Sequence, residues 1–328
     1  MAGAIRVGTS GFSFPDWVGT AYPPGTRRSE YFDRYVRWFD AVEINSTYYR
    51  IPPPATFERL AERAPAGFTF VVKLPREMTH ERDGSAGARG PFLESIRPLR
   101  EAGRLGGLLA QFPPSFRPTS EARVHLEELA GAFARDVPLC AEFRHESWAR
   151  EETWNHLRRI GVGFVNVDLP DLPGLPTPSE VVTSPVAYVR LHGRNRATWW
   201  EHPTPSDRYD YLYSEGELEG WATRIERMAA GADVCFAFSN NCHLGQSVVN
   251  ALQLVQRLGV PAPAAGDGGE LFRTSLDERI RTLRDAVLRA KGASSSSTTP
   301  KGASSSSTTP KGASSSSTTP KGSPKPQP

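Results

Sequence analysis

The stretch AVEINSTYY, residues 41–49, shows the pattern that decides the fold. A short run of apolar and β-branched residues ends in polar and aromatic side chains, and similar runs recur at PLCAEFRH, residues 138–145, and VAYVRLHG, residues 186–193. Short runs of this kind are typical of buried strands. Segments with helical periodicity lie between them, and this alternation indicates repeated βα units around a parallel sheet.

Eight strands are predicted before residue 290. They span residues 5–11, 41–49, 69–75, 105–113, 138–145, 163–168, 186–193 and 233–240. Eight strands with crossovers in about 290 residues predict a TIM-type (β/α)8 barrel, an α/β fold. A doubly wound open sheet is the alternative. A last helical pattern, residues 276–290, predicts a helix that packs across the barrel.

The end of the chain has a different composition. The decapeptide KGASSSSTTP occurs at residues 291–300, 301–310 and 311–320, and KGSPKPQP follows it. Such a segment buries too little apolar area to offset the conformational entropy lost on folding. We therefore predict a barrel domain at residues 1–290 and a disordered tail at residues 291–328.

The charge of the chain is divided between these two parts. The whole chain has a net charge of +3, but residues 1–290 carry 34 basic and 36 acidic side chains, a net charge of −2. A nearly neutral barrel lacks the electrostatic footprint of a dedicated nucleic-acid-binding protein. A nucleic-acid partner is still possible through a local basic pocket, but a small-molecule substrate is favoured.

Cysteine usage and hydropathy indicate the compartment. The chain has three cysteines, without a CxxC motif or zinc-ligand spacing, which suits a reducing environment. The N-terminal residues lead directly into a predicted strand, and no apolar run has the length of a membrane span. We expect a cytoplasmic protein that does not contact a membrane; its oligomeric state stays open.

Polar residues at the strand ends form the candidate site. In a (β/α)8 barrel, functional side chains come from the C-terminal ends of the strands. The polar residues at these ends are Glu43, Asn45, Lys73, Gln111, Glu142, Arg144, Asp168, Arg190, His192, Ser239, Asn240 and Asn241. The alternative is a self-satisfying network of buried ion pairs. A whole ring of buried ions is costly as a stabilising device, which favours a functional site.

Lys73 is the most informative of these residues, because it is the only lysine before residue 291. Unlike arginine, a lysine in a pocket can lose its proton, and it can then act as a base or a Schiff-base nucleophile. A protonated lysine can instead bind an oxyanion. The alternative is that a single lysine at this position is chance.

Glu43 and Glu142 are candidates for an acid–base or nucleophile pair. Their separation would distinguish inverting from retaining glycoside chemistry, and the sequence does not contain it. His192 is either a general acid–base or a packed histidine. A divalent metal on Glu43, Glu142, Asp168 and His192 is conceivable but has no local ligand motif behind it. No dinucleotide-binding fingerprint or P-loop occurs, so we predict no bound nucleotide cofactor.

Loops around the predicted mouth supply further candidates. Ser10 offers a hydroxyl in a short glycine turn, and residues 78–90 form a polar segment with His80 that is expected to act as a lid. Aromatic residues there either stack on a sugar or base or pack beneath the loops. They are Phe12, Phe14, Trp17, Tyr48, Tyr49 and Trp148. Trp199 and Trp200 lie in another long loop after strand seven, which either closes over a ligand or covers the barrel.

Seven motifs in order carry a family resemblance. They are GTSGFSFPDWVG, YFDRYVRWFDAVEINSTYYRIP, GFTFVVKLPREMTH, LAQFPPSF, AEFRHESW, VRLHGR and FSNN. Over about residues 5–258 the chain resembles the bacterial and archaeal family called domain of unknown function 72, or YecE-like. The resemblance implies a TIM-barrel-type fold and leaves the reaction open. The family pattern near strand eight has an aromatic-Phe-Asn-Asn run, whereas this chain has Ser239 in place of the Phe.

The leading hypothesis is an enzyme that acts on a small polar, anionic substrate, such as a sugar phosphate or nucleotide fragment, by acid–base chemistry. Hydrolase, lyase and isomerase activities stay open. The alternatives are a metal-dependent phosphodiesterase or nuclease, and a non-catalytic protein that binds a metabolite or nucleic acid. The predicted catalytic residues are Glu43, Lys73, Glu142 and His192. The predicted substrate-binding residues are Ser10, Asn45, Tyr49, Arg50, His80, Gln111, Arg144, Trp148, Arg190, Asn240 and Asn241.

Overall fold

The structure, a computed structural model, describes residues 2–204, 206–261 and 274–296, with side chains up to residue 293. Eight strands alternate with helices along this part of the chain. The strands are β1 (Ala4–Thr9), β2 (Ala41–Ile44), β3 (Thr69–Lys73), β4 (Leu105–Gln111), β5 (Leu139–Glu142), β6 (Gly163–Asp168), β7 (Val186–Leu191) and β8 (Val234–Ser239). The helices are α1 (Tyr31–Tyr35), α2 (Pro54–Arg63), α3 (Ser85–Glu101), α4 (Ser120–Phe133), α5 (Glu151–Ile160), α6 (Glu215–Ala230), α7 (Gln246–Arg257) and α8 (Leu276–Ser296).

All strands pair in parallel, in the order β1-β8-β7-β6-β5-β4-β3-β2. The two ends of this ladder, β1 and β2, lie side by side, so the sheet forms a nearly closed barrel. The predicted (β/α)8 barrel is therefore confirmed, and the open doubly wound sheet is not the fold.

Tyr35 joins the two strands at the seam of the barrel. Its hydroxyl accepts a hydrogen bond from Thr9 N and donates one to Ala41 O, both at 2.9 Å. Gly8 allows this close approach, since a Cβ atom built there would lie 2.2 Å from Ala41 O. A side chain at position 8 would push the two strands apart.

The core has two layers. Side chains between the strands and the helices form the larger layer, while a smaller cluster fills the barrel interior with Val71, Leu109, Cys140, Tyr188 and Phe236. The alternation of side chains along each strand places polar residues above this interior cluster, at the C-terminal ends. The register of β4 against β5 sets Gln111 beside Glu142.

Three local expectations are corrected by the structure. Residues 78–90 are largely helical where a loop was expected, because a π-helix covers Glu77–Glu81 and α3 begins at Ser85, and their role as a lid stays a prediction. The connection between β6 and β7, residues 169–185, contains no helix, because five prolines remove backbone donors and restrict the chain. Several predicted strands were also too long; β2, for example, ends at Ile44, so Asn45 and Tyr49 lie on the following loop.

The predicted boundary at residue 290 falls inside a helix. Helix α8 begins at Leu276, as the periodicity indicated, but continues to Ser296 and so includes the start of the first repeat. The predicted disorder of residues 297–328 lies outside the described residues.

Candidate functional site

A pocket of about 280 Å³ opens at the C-terminal ends of the strands. This is the end of the barrel where the sequence placed the site. Its charged, polar and aromatic lining includes Tyr48, Tyr49, Lys73, His80, Gln111, Arg144, Trp199, Trp200, Arg208 and Tyr209. Eight of these ten residues were named from the sequence, as site residues or as aromatic residues of the loops: Tyr48, Tyr49, Lys73, His80, Gln111, Arg144, Trp199 and Trp200.

Lys73, the last residue of β3, lies at the floor of this pocket. Its Nζ donates a hydrogen bond of 2.6 Å to Gln111 Oε1 and lies 4.3 Å from the centre of the Tyr48 ring. The side chain is nearly buried. Burial, followed by the nearby charge of Arg190, lowers the pKa of Lys73 to about 7. The amine is therefore able to gain or lose a proton near neutral pH.

A buried layer of ion pairs lies beneath the pocket. Arg190 donates through Nη2 to Glu43 Oε1 and through Nη1 to Glu142 Oε2, each at 2.6 Å. Glu43 also accepts a hydrogen bond of 2.6 Å from the Tyr188 hydroxyl and one of 2.8 Å from Asn45 Nδ2. Both carboxylates are fully buried. The guanidinium of Arg190 thus occupies the space between them.

Arg144 links this buried layer to the pocket, because it lines the pocket and its Nε donates to Glu142 Oε1. Burial alone would raise the pKa of Glu142, but Arg144 and Arg190 hold it well below its usual range. Glu142 is therefore a carboxylate at any physiological pH, and its charge is already matched by two arginines.

His192 lies at the same level as the carboxylates, with Nε2 3.3 Å from Glu142 Oε1. Its Nδ1 accepts a hydrogen bond of 2.8 Å from Asn240 Nδ2. Burial, followed by the charge of Arg144, lowers the pKa of His192 to about 3, so the ring is neutral. Asn240 therefore orients His192, which is fully buried.

Neither carboxylate nor His192 lines the pocket. The expected catalytic roles of Glu43, Glu142 and His192 stay predictions. In the structure both carboxylates are paired with Arg190, Glu142 is also paired with Arg144, and His192 contacts Glu142. The glycoside-type pair is disfavoured by the geometry, because a sugar between the two carboxylates would have to displace Arg190.

Two predicted substrate-binding residues, Trp148 and Asn241, do not line the pocket. Trp148 is completely buried, donates a hydrogen bond of 2.7 Å to Phe116 O and stacks on Phe143. Asn241 is also buried, and its Nδ2 donates to Tyr211 O at 2.7 Å. Both side chains fasten loops of the barrel instead of facing the pocket.

The remaining predicted residues lie around the pocket at different depths. Ser10 Oγ lies below it and accepts a hydrogen bond of 3.4 Å from Arg190. Arg50 is exposed outside the pocket lining. His80 packs edge-on against Tyr48 and contacts Thr79, and burial followed by the charge of Lys73 lowers its pKa to about 4.

One side of the pocket is lined by Trp199, Trp200, Arg208 and Tyr209, and we call the segment that carries them, residues 195–204 and 206–210, the pocket wall. Arg208 belongs to it: its Nε donates a hydrogen bond of 2.8 Å to Trp199 O, and its guanidinium lies 5.3 Å from the centre of the Trp199 ring. The tryptophan pair indicated this loop in the sequence. Arg208 gave no such signal, because arginine is abundant throughout the barrel.

Searches of the described residues bear on metals and membranes. Within residues 2–204, 206–261 and 274–296, His, Cys, Asp and Glu side chains form no group of three or more that could share a metal ion. Over the same residues, no helix combines the length and the hydropathy needed to cross a bilayer.

Comparisons with known proteins agree with this architecture. The family described as "Protein of unknown function DUF72" matches residues 6–269. The chain is 27% identical over 272 residues to UPF0759 protein YunF of Bacillus subtilis, covering 78% of this chain and 95% of YunF. It is 30% identical over 177 residues to UPF0759 protein YecE of Escherichia coli, covering 50% of this chain and 59% of YecE.

Solved structures give the same result. A crystal structure of a DUF72 family protein from Thermotoga maritima superimposes with a TM-score of 0.73 and 40% identity, covering 78% of this chain and 99% of that one. A DUF72 family protein from Enterococcus faecalis gives a TM-score of 0.72 and 27% identity, covering 81% and 99%. The family match, residues 6–269, includes the C-terminal ends of all eight strands.

Proposed function

The chain belongs to the DUF72 family, and we propose that its pocket binds a small anionic substrate, phosphorylated or carboxylated, on which Lys73 acts as an acid–base group. The observation that carries this proposal is the charge of the lining. Among the described residues the pocket is lined by Lys73, Arg144 and Arg208, and by no aspartate or glutamate.

The buried layer strengthens this argument. Glu43 and Glu142 are each paired with Arg190, and Glu142 is also paired with Arg144. Their negative charge is therefore already matched below the pocket. When Lys73 is protonated, the pocket has an excess of positive charge, and a bound anion would compensate it. Preorganised donors in a partly desolvated site stabilise an oxyanion more strongly than water-exposed donors do.

Exposed aromatic side chains at the rim of the pocket favour a substrate that contains a ring. Tyr49 is 80% exposed and Trp200 is 52% exposed, and both line the pocket. Tyr49 is held edge-on against Tyr48, with ring centres 5.0 Å apart. Exposed aromatic faces at one rim are suited to stacking on a sugar or a base. A sugar phosphate or a nucleotide-like molecule could stack its ring on the rim aromatics and place its phosphate near Lys73.

Lys73 supplies the proton-transfer chemistry. A catalytic group is most effective when its pKa lies near the working pH, and burial brings the pKa of Lys73 to about 7. Hydrolysis, elimination and isomerisation each use such a group. A metal-dependent nuclease is a weaker proposal, because the oxygens of Glu43 and Glu142 are engaged by guanidinium groups. Binding without catalysis is favoured by one observation, the complete burial of both carboxylates.

A thermal-shift experiment at pH 6.5 tests the binding step. Sulfate, glucose 6-phosphate and AMP are compared with neutral glucose and adenosine. We expect only the anions to raise the unfolding temperature, because a ligand stabilises the native state it binds. Lys73→Met should remove the shift, whereas Arg196→Gln, a control that loses a positive charge from an exposed part of the pocket wall, should retain it. Equal protection by neutral compounds, or undiminished protection of Lys73→Met, would count against the proposal.

The chemical step is tested with the compounds that bind. Each is incubated with the protein in D2O and followed by NMR. Deuterium incorporation or product formation that is lost in Lys73→Met supports acid–base catalysis, and binding without change supports the non-catalytic alternative. A steep salt dependence of oligonucleotide binding would instead support a nucleic-acid ligand.

A cytoplasmic location is also proposed, because the three cysteines are free, as is usual in a reducing compartment.

A further inference from the structure

Hydrogen bonds within the pocket wall connect its two ends. Asn195 Nδ2 donates to the carbonyl oxygens of Asp207 and Asp210, both at 3.1 Å, and Arg208 Nε donates to Trp199 O. Trp199 and Arg208, which line the pocket, are therefore coupled to the end of the wall at Asp210.

Asp210 connects this wall to helices α7 and α8. Its Oδ1 accepts a hydrogen bond of 2.6 Å from Nε2 of Gln246, the first residue of α7, and is also paired with the ammonium group of Lys291 in α8. Lys291 Nζ lies 3.5 Å from Gln246 Oε1 as well. Two helices thus meet the wall at one carboxylate, and Lys291 supplies the positive charge there.

Lys291 does not belong to the region that matches the family. The match ends at residue 269, whereas Lys291 opens the first KGASSSSTTP repeat and lies in the part of α8 beyond the predicted domain boundary. A residue of the repeat segment therefore contacts the segment that carries the pocket lining.

We propose that Lys291 is a positioning residue, which holds the pocket wall in place and so links the C-terminal repeat segment to ligand affinity. Without its ammonium group, the Asp210 carboxylate would keep one neutral partner among the described residues, Gln246 Nε2, and the wall would open more often. The effect on affinity rests on the proposed function, but the effect on the wall does not. Because the ion pair is about one-third exposed at each partner, we expect a modest effect.

Hydrogen exchange of the unliganded protein tests the wall directly. In Lys291→Met, exchange of peptides covering the pocket wall should accelerate by about two- to five-fold, the size expected for the loss of an ion pair that is one-third exposed at each partner. The exchange rate of peptides from β4 should not change. Lys301→Met is the matched control, since it removes the same charge from the same position of the next repeat and should leave exchange of the wall unchanged. Asp210→Asn should accelerate exchange of the wall to a similar extent. Combining Asp210→Asn with Lys291→Met should accelerate it little further, because both substitutions remove the same ion pair.

Sulfate affinity, measured by calorimetry, gives the second readout. It should fall by about two- to five-fold in Lys291→Met and stay unchanged in Lys301→Met. Unchanged wall exchange in Lys291→Met, acceleration throughout the barrel, or the same behaviour in Lys301→Met would each overturn the inference. Faster wall exchange in a protein that binds no sulfate would support the positioning role while refuting the proposed function.

Discussion

Replacing Lys73 by methionine should stabilise the protein by an amount that depends on pH. The native state buries the ammonium group near Arg190 and Arg144, and the charges of Glu43 and Glu142 compensate only part of the cost. Methionine has a similar length and no charge, so it keeps the packing and removes this cost. The variant lacks the one lysine of the site.

The magnitude follows from the two pKa values of Lys73, 10.5 in the unfolded chain and about 7 in the native state. Between these values the unfolded chain binds a proton that the native protein does not, so the stability of the parent rises with pH by about 1.4 kcal/mol per pH unit. The cost is fully present below about pH 7 and is lost as the pH rises toward 10.5. Its upper limit is roughly 5 kcal/mol.

Urea unfolding of the parent, Lys73→Met and Lys73→Arg at pH 7.5, 8.5 and 9.5 measures this difference. The advantage of Lys73→Met over the parent should shrink by about 1.4 kcal/mol per pH unit, since every other titrating group is shared. The difference between the methionine and arginine variants should stay constant, because neither residue titrates there. A constant difference between Lys73→Met and the parent would refute the argument that burial displaces the proton of Lys73.

Three further predictions concern the pocket and its support. Sulfate, which keeps its charge over this range, should bind up to about ten-fold more weakly for each pH unit above 7, because Lys73 must take up a proton to pair with it; calorimetry that shows a flat profile would contradict this. Glu142→Gln should destabilise the protein by about 3–5 kcal/mol in urea unfolding, since buried arginines lose their counter-charge; a loss below about 1 kcal/mol would count against the buried layer. Tyr49→Ala should leave stability within about 0.5 kcal/mol but weaken AMP by about five-fold or more relative to sulfate, as measured by titration of both ligands.

The strand ends show how far the sequence could locate the site. Lys73, Gln111 and Arg144 were placed at the pocket by two facts that need no coordinates: parallel strands end at one face of the barrel, and side chains alternate along each strand. Trp148, which was also predicted there, is buried outside the pocket lining, because a tryptophan after a strand end has the same local pattern whether it packs beneath a loop or faces a ligand.

The sequence by itself determined the barrel, the end at which the polar residues gather and the singular position of Lys73, because periodicity and composition are local properties. Only the tertiary structure decided which of those residues reach the pocket. Arg190 pairs with Glu43, 147 residues away in the sequence, and also with Glu142, and both carboxylates are buried below Lys73. Burial and charge pairing depend on which distant segments meet, and the same is true of the contact between Asp210 and Lys291 at the pocket wall.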